Sequence, residues 1–544
     1  MKVAEYLVKT LSIYGVTDVF GIPGGVVIDF LYALSESNVE PHLSYHEQAA
    51  AFEACGYAQV NHTLGVAYAT RGPGFTNLIT GIADAYADSL PVLFITAHSG
   101  KVVTHEQRFE KEQEMDTVQM VRYITKYAAS IDSLDDVKTE IQKAISEALS
   151  GRKGPVFLDF SSALWNKEIE EEIDLEEKIV KEEINLSYLQ NIIQSAKRPI
   201  ILLGDGINQA GIKQQINELV GKAKIPVVSS RGSQDCVHGS EYYFGYIGSH
   251  GIRYANSIFH KADLVISIGN RLAFPLHSES FSKALENKKI IRFEVDSDEI
   301  KRDISNAISI ICDLSQGILN LWDILDDFDT REWLEICKDI KESLKNCDLN
   351  STTLFIKKFI DQTNYEFLVA DVGNNEFWTS HAYELSKSTS KVLYSKSFGA
   401  LGCGIGKAIG VHYRTKDSVL VIVGDQGIQL NIQELQLLST EQLPIQILII
   451  NNSSSGMIKD REKSKDYYLH TTSDSGYGNP KYELIAKAYG LGYLKINENG
   501  EIPVIDYRVP MIIEYLADEN IELQPKLLIG DAMDNMYPRI NDNN

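Results

Sequence analysis

Short apolar runs alternate with helix-length amphipathic segments along the whole chain. LGVAYAT (64–70), PVLFITA (91–97), PIILLG (199–204), ADLVISIG (262–269), VLVIVG (419–424) and IQILIINN (445–452) are almost continuously apolar and end in glycine or polar turn residues. Such runs belong to strands buried on both faces, and helix-length spacers between them predict parallel pairing. The expected fold class is therefore α/β, built from doubly wound parallel sheets. The first residues, MKVAEYLVKTLSIYGV, carry a helical period and lack the charged-then-apolar order of a secretory leader.

Two acidic, glycine-free stretches interrupt the rhythm, at 167–184 and 325–348. Read as linkers or solvated helices, they divide the chain into three α/β units over residues 1–165, 185–330 and 350–544.

Composition narrows the partners. The 544 residues include 52 Lys and Arg against 75 Asp and Glu, a net charge of −23. That balance opposes a broad nucleic-acid or anionic-membrane surface but leaves room for a local cationic pocket. No run approaches the roughly 20 apolar residues of a bilayer span. Cys55, Cys236, Cys312, Cys337, Cys347 and Cys403 are scattered with no CxxC pair. Free thiols of this kind suit a reducing compartment, and a cytoplasmic protein is expected.

The candidate chemistry starts at GDQG (424–427), between the strand VLVIVG and an amphipathic run beginning NIQEL. A carboxylate at a strand's carboxyl end, beside a glycine turn and a helix, suits a divalent cation next to a phosphate. A second strand ends in Asn451 and Asn452, 27 residues beyond Asp425, which allows one crossover helix and a neighbouring strand. Asp and Asn also close turns with no ligand at all, so these motifs alone leave both readings open. In the amino-terminal unit, Glu47 opens the helix-like SYHEQAAAFEACGYA, where an acid in the first turn also complements the helix dipole.

Taken together, these segments resemble the thiamine-diphosphate enzymes of the acetolactate synthase family. GDQG followed by NN resembles the family's GDG…NN motif. GIPGG (21–25), YHEQAAAFEACGYA (45–58), ATRGPGFTNLITGIADAYADSLPVLFIT (69–96), EQEMDTVQMVRYITKY (112–127), GSHGIRYAN (248–256) and SFGALGCGIGKAIG (397–410) resemble further segments in the expected order. The resemblance implies a pyrimidine-binding, a middle and a diphosphate-binding domain. It implies Mg²⁺ on Asp425, the side chain of Asn452 and the main-chain carbonyl of Ser454. Glu47 would hydrogen-bond N1′ of the cofactor's aminopyrimidine, Gly399 would offer a carbonyl to its 4′ amino group, and Leu401 would prop pyrimidine against thiazole. Pro23, Gly24, Thr70, Pro73, Asn77, Asn374, Asn375, Gly424, Gln426, Gly427, Gly456 and Met457 complete the implied cofactor-binding set.

The implied reaction is decarboxylation of a 2-oxo acid, with pyruvate expected, and transfer of the two-carbon unit to a second carbonyl compound. Related simple decarboxylases carry a histidine pair where this chain has Glu112 and Gln113, and Gln113 matches the synthases. A simple decarboxylase and an inactive cofactor-binding assembly protein are the alternatives. A nicotinamide dehydrogenase is not supported, because GALGCGIGKAIG fits neither G-x-G-x-x-G after a strand nor a P-loop. The chain departs from the family at Gln426, where glycine is usual, with Gly427 expected to keep the turn free. Arg71 stands where serine is usual and Arg461 where biosynthetic enzymes have tryptophan. Arginine suits carboxylate or phosphate, so both are expected beside a pocket for a changed, anionic acceptor. In the middle unit Arg271 could face a diphosphate, but RLAFP lacks two acidic residues of the family's flavin motif, which leaves bound FAD open. The family also implies a homo-oligomer, at least a dimer, whose active sites draw Glu47 and the metal loop from different subunits.

Overall fold

The computed structural model describes residues 1–540 apart from 62, 101–111, 172–185, 274–277, 303, 305, 326–328, 464, 466, 498 and 499. It contains three six-stranded sheets in which every pairing is parallel. The first orders its strands Glu40–Leu43, Asp18–Gly21, Gly65–Tyr68, Val92–His98, Val156–Ser161 and Tyr127–Ile131. The third repeats that plan with Lys391–Leu393, Phe367–Ala370, Val419–Gly424, Ile445–Asn451, Met511–Leu516 and Gly492–Ile496. The six apolar runs singled out above all form central strands, each covered by helices.

The middle sheet runs differently, as Tyr243–Tyr246, Val227–Ser229, Pro199–Leu203, Leu264–Ile268, Lys289–Glu294 and Ala307–Ile311. Numbered within the domain this is 3-2-1-4-5-6, the order of dinucleotide-binding sheets, whose ligand crevice opens where the order reverses.

The first and third domains share one hydrophobic core. Helix Glu47–Asn61 crosses helix Gly404–Thr415 with the two backbones in contact. A Cβ on Gly410 would lie 1.8 Å from the Glu53 carbonyl oxygen, and one on Gly56 would lie 2.0 Å from that of Lys407. Glycine is required on both helices.

Of the first acidic stretch, residues 172–184 lie outside the described residues. In the second, 326–328 lie outside them and residues 331–344 form helix Arg331–Leu344. That helix is more than a solvated spacer: it buries Trp333, Leu334 and Cys337 against the middle domain. Among the described residues no helix is long and apolar enough to cross a membrane.

Candidate active site

Two clusters form at carboxyl ends of strands, one in each outer domain. In the third domain the neighbouring strands Val419–Gly424 and Ile445–Asn451 pair with Gly424 opposite Ile450, so Asp425 leaves the sheet level with Asn451 and one residue short of Asn452. Three loops converge there. Helices Asn374–Leu385 and Gly456–Lys463 both begin at the site and direct their positive ends at it. A Cβ on Gly456 would lie 2.8 Å from Asn374 Nδ2 and 3.0 Å from Asn452 Nδ2, so a side chain there would fill the cradle. Asn374 and Ser454 are buried, and neither the Asn374 amide atoms nor the Ser454 hydroxyl has a protein hydrogen-bond partner. Asn375 instead staples the fold, donating to the carbonyls of Asp371 (2.7 Å) and Ile422 (3.3 Å).

Asp425 is oriented by residues that no sequence motif announced. Tyr477 donates to one carboxylate oxygen (2.9 Å) and Asn479 to the other (2.7 Å), while the Tyr482 hydroxyl donates to the main-chain carbonyl of Asp425 (2.7 Å). Burial pushes the Asp425 carboxyl above its usual range, and the donated bonds from Asn479 and Tyr477 partly offset this. Asn479 Oδ1 is itself buried without a partner beside the carboxylate. Asn479 and Tyr482 fall in NPKYELIAKAYG, which reads as an ordinary helix start, and Tyr477 lies two residues before it in no motif.

Gln426 has φ −81 and ψ −43, ordinary right-handed backbone, and its side-chain oxygen accepts from the Ser455 hydroxyl at 2.9 Å. The expectation that Gly427 supplies turn freedom is corrected: it has no positive φ. Its role is spatial, since a Cβ would lie 3.1 Å from Val423 Cγ2 and 3.2 Å from Asp371 Oδ1.

The second cluster lies in the first domain. Glu47 opens its helix, is 9% exposed, and accepts a hydrogen bond from Asn77 Nδ2 at 2.9 Å. Gly74 backs onto it, with a built Cβ 3.2 Å from Glu47 Oε1, and Gly24 abuts Thr70. Pro73 starts the helix that carries Asn77, and Pro23 is exposed on the adjoining turn. Gln113 is exposed, has φ +62, and packs on Gly72, where a Cβ would lie 2.6 Å from its own. Arg71 donates to Ser99. The turn before Glu47 is held from the third domain, where Glu434 accepts the Tyr45 N–H at 3.1 and 3.2 Å.

Between the clusters runs residues 395–404, carrying Gly399 and Leu401. Asp371, also missed in the sequence, fixes its far end by accepting the N–H groups of Gly402 (2.9 Å) and Gly404 (2.7 Å). Gly399, at φ +69, is exposed, whereas Leu401 is half-buried. A cavity of about 920 Å³ extends from Gly399, Met457 and Arg461 to the crossover of the middle sheet at Gly204 and Gly269. Arg461 borders this cavity. Arg71, Gln113 and Glu47 do not line this cavity within the single chain. Arg271 lines it but turns onto Glu299, 2.8 Å away, and of RLAFP residues 274 and 275 lie outside the described residues.

The chain's similarities agree with this geometry. Three family models match it, described as the thiamine pyrophosphate enzyme N-terminal TPP binding domain (residues 1–120), central domain (186–321) and C-terminal TPP binding domain (371–504). It is 31% identical to the acetolactate synthase large subunit of Lactococcus lactis, covering 98% of this chain and 95% of that protein. A probable acetolactate synthase large subunit of Methanocaldococcus jannaschii is also 31% identical, over 92% of this chain and 88% of its own length. The acetolactate synthase isozyme 2 large subunit of Escherichia coli is 26% identical over 99% and 100%. The chain belongs to the thiamine-diphosphate-dependent enzymes of acetolactate synthase type.

Proposed function

We propose that the chain is a thiamine-diphosphate- and Mg²⁺-dependent carboligase that decarboxylates a 2-oxo acid, pyruvate first, and transfers the two-carbon unit to a second carbonyl compound. The observation that carries this is a buried carboxyl oriented by an amide, Glu47 with Asn77, in the same chain as a three-loop cradle whose buried amide has no protein partner. The cradle fits the cofactor's diphosphate. Asp425, Asn452 and the Ser454 carbonyl would hold Mg²⁺, and hard oxygen donors are what that ion takes. Asn374, Gly424, Gln426, Gly427 and Gly456 would surround the phosphates, with Met457 beside the reacting end.

Thiamine diphosphate, when bound, supplies the nucleophile and electron sink for cleaving the bond between a carboxylate and a carbonyl carbon. The protein's part is placement and proton control. Glu47 would share a proton with the pyrimidine, and Asn77 keeps its carboxyl aimed. Gly399 would bind the 4′ amino group and Leu401 would prop the folded cofactor. Gln113 neither gains nor loses a proton near neutral pH, so it cannot do the protonating work of the second histidine of the decarboxylase pair, which favours transfer. Arg71 and Arg461 support an anionic acceptor other than 2-oxobutyrate.

The active unit in this reading is a homodimer. Exposed Leu43 and Tyr45 beside Glu47, and exposed Phe398 and Leu430 beside Gly399 and the metal loop, support cover by a second copy. Six unpaired cysteines support a cytoplasmic setting. For the middle domain the reading admits FAD, on the strand order and the cavity volume. Flavin absorption in the purified protein supports it, and a colourless active protein excludes it.

The test is pyruvate turnover with Mg²⁺ and thiamine diphosphate across a panel of acceptors, with a chelator control. Carbon dioxide release that rises with one acceptor, yields a ligated product and stops with chelator supports the proposal. Release independent of every acceptor favours a simple decarboxylase. No release from any 2-oxo acid favours a cofactor-binding assembly role.

A further inference from the structure

The near end of residues 395–404 is held by another domain. In the last turn of helix Pro73–Asp88, Asp88 accepts the N–H of Lys396 with one oxygen and that of Ser397 with the other, both at 2.8 Å. One turn earlier, Asp84 accepts the Ser395 hydroxyl, whose oxygen in turn accepts the Ala400 N–H at 2.9 Å. Both carboxyls are buried, and so is Lys407, which lies 2.9 Å from Asp84, 3.9 Å from Asp88 and donates to the Tyr394 carbonyl at 3.2 Å. Burial lowers the lysine's pKa, but the facing acids, Asp84 foremost, more than offset this and hold it above the usual lysine value.

An apolar contact would join the two domains with less desolvation than two acids and a lysine. Carboxylates do something an apolar contact cannot: each oxygen fixes the direction of a particular N–H. Two successive amides bound by one carboxylate set the backbone orientation two residues before Gly399. We propose that Asp84 and Asp88 are positioning residues for the reaction, setting from the first domain the loop by which the third presents Gly399 and Leu401 to the aminopyrimidine. Lys407 supplies the countercharge that lets both acids stay buried. The inference rests on the roles given to Gly399 and Leu401 above.

The test compares the full-length holoenzyme with Asp88→Asn and Ser395→Ala. An asparagine accepts only one of the two N–H groups, and the serine variant breaks the Asp84 link without removing a charge. Three quantities are read: the dissociation constant for thiamine diphosphate with Mg²⁺, the melting temperature, and deuterium exchange of the cofactor's thiazolium C2 proton before any substrate is added. Exchange is expected to slow by about 10²-fold in Asp88→Asn and about tenfold in Ser395→Ala, with the dissociation constant within about threefold, because small misplacements remove orientation rather than affinity. Wild-type exchange rates in either folded, cofactor-loaded variant overturn the proposal, as does a lowered melting temperature with no other change. Should Asp88→Asn not fold, Ser395→Ala alone carries the test. Exchange in the wild type no faster than in free cofactor overturns the functional reading as well, whereas failure on pyruvate leaves the comparison intact.

Discussion

At Gln426 the backbone sits at φ −81 and ψ −43, a conformation open to every residue except proline. The departure from glycine therefore carries no strain, and the glutamine gains a bond from Ser455. Gln426→Gly is expected to leave turnover within about twofold, since the position does not use glycine's freedom; a loss tenfold or larger would show that the side chain touches substrate or cofactor. A pH effect belongs to the same scale. Burial pushes Asp371 up to about 6 and Glu376 up to about 7, the latter against the pull of Arg231. Their folded forms hold protons that the unfolded chain has released, so folding takes up protons between the two sets of values. The stability these acids contribute is present below the unfolded carboxyl pKa and is lost as pH rises through about 6 to 7. Glu376→Gln is expected to shrink the fall in melting temperature between about pH 5 and pH 8; an unchanged fall contradicts the assignment. Legibility at this scale followed chemistry anchored to a strand end. Asp425, Asn452 and Glu47 were readable because each ends or opens an element. Tyr477, Asn479 and Asp371 were not, because their work is to receive or donate single bonds across the fold, which leaves no local pattern.

The crossing of helix Glu47–Asn61 over helix Gly404–Thr415 ties Glu47 to the domain that bears Asp425 and Asn452. Its closeness depends on Gly56, Gly406 and Gly410, where a Cβ would meet backbone or a neighbouring side chain at 2.0, 2.9 and 1.8 Å. Gly410→Ala must push the helices apart, and overpacking costs about 1–3 kcal/mol, with a rigid backbone contact at the upper end. The expected readings are a lower urea midpoint and weaker cofactor binding, because the Glu434 contact to Tyr45 spans the same interface. A midpoint equal to wild type would mean that the helices already stand further apart. The long apolar runs announced the central strands. Strand order was not legible: 2-1-3-4-6-5 and 3-2-1-4-5-6 arise from the same alternation of strand and helix, and only long-range helix packing separates them. Short strands such as Lys391–Leu393 and Val227–Ser229 have three residues each, too few to show a period.

Within one chain Glu47 finds Asn77, Asp425 finds Tyr477 and Asn479, and the large cavity meets the third domain at Gly399, Met457 and Arg461 without reaching Glu47. Each half is built and oriented, yet each leaves apolar side chains in solvent beside it, Tyr45 at 40% and Phe398 at 48% exposure. Two copies related by a two-fold axis would place the first cluster of one against the second cluster of the other, twice, which is the self-complementarity of an isologous interface. Complementation tests that arrangement directly. Glu47→Gln and Asp425→Asn are each expected to be inactive alone. When the two are co-expressed, random pairing makes half the dimers mixed, and each mixed dimer carries one intact site and one doubly altered site. About a quarter of wild-type activity should return, as closed two-fold symmetry requires. If Glu47 and Asp425 served a site within one chain, every site in the mixture would lack one of them. Activity would then stay at the level of the separate variants.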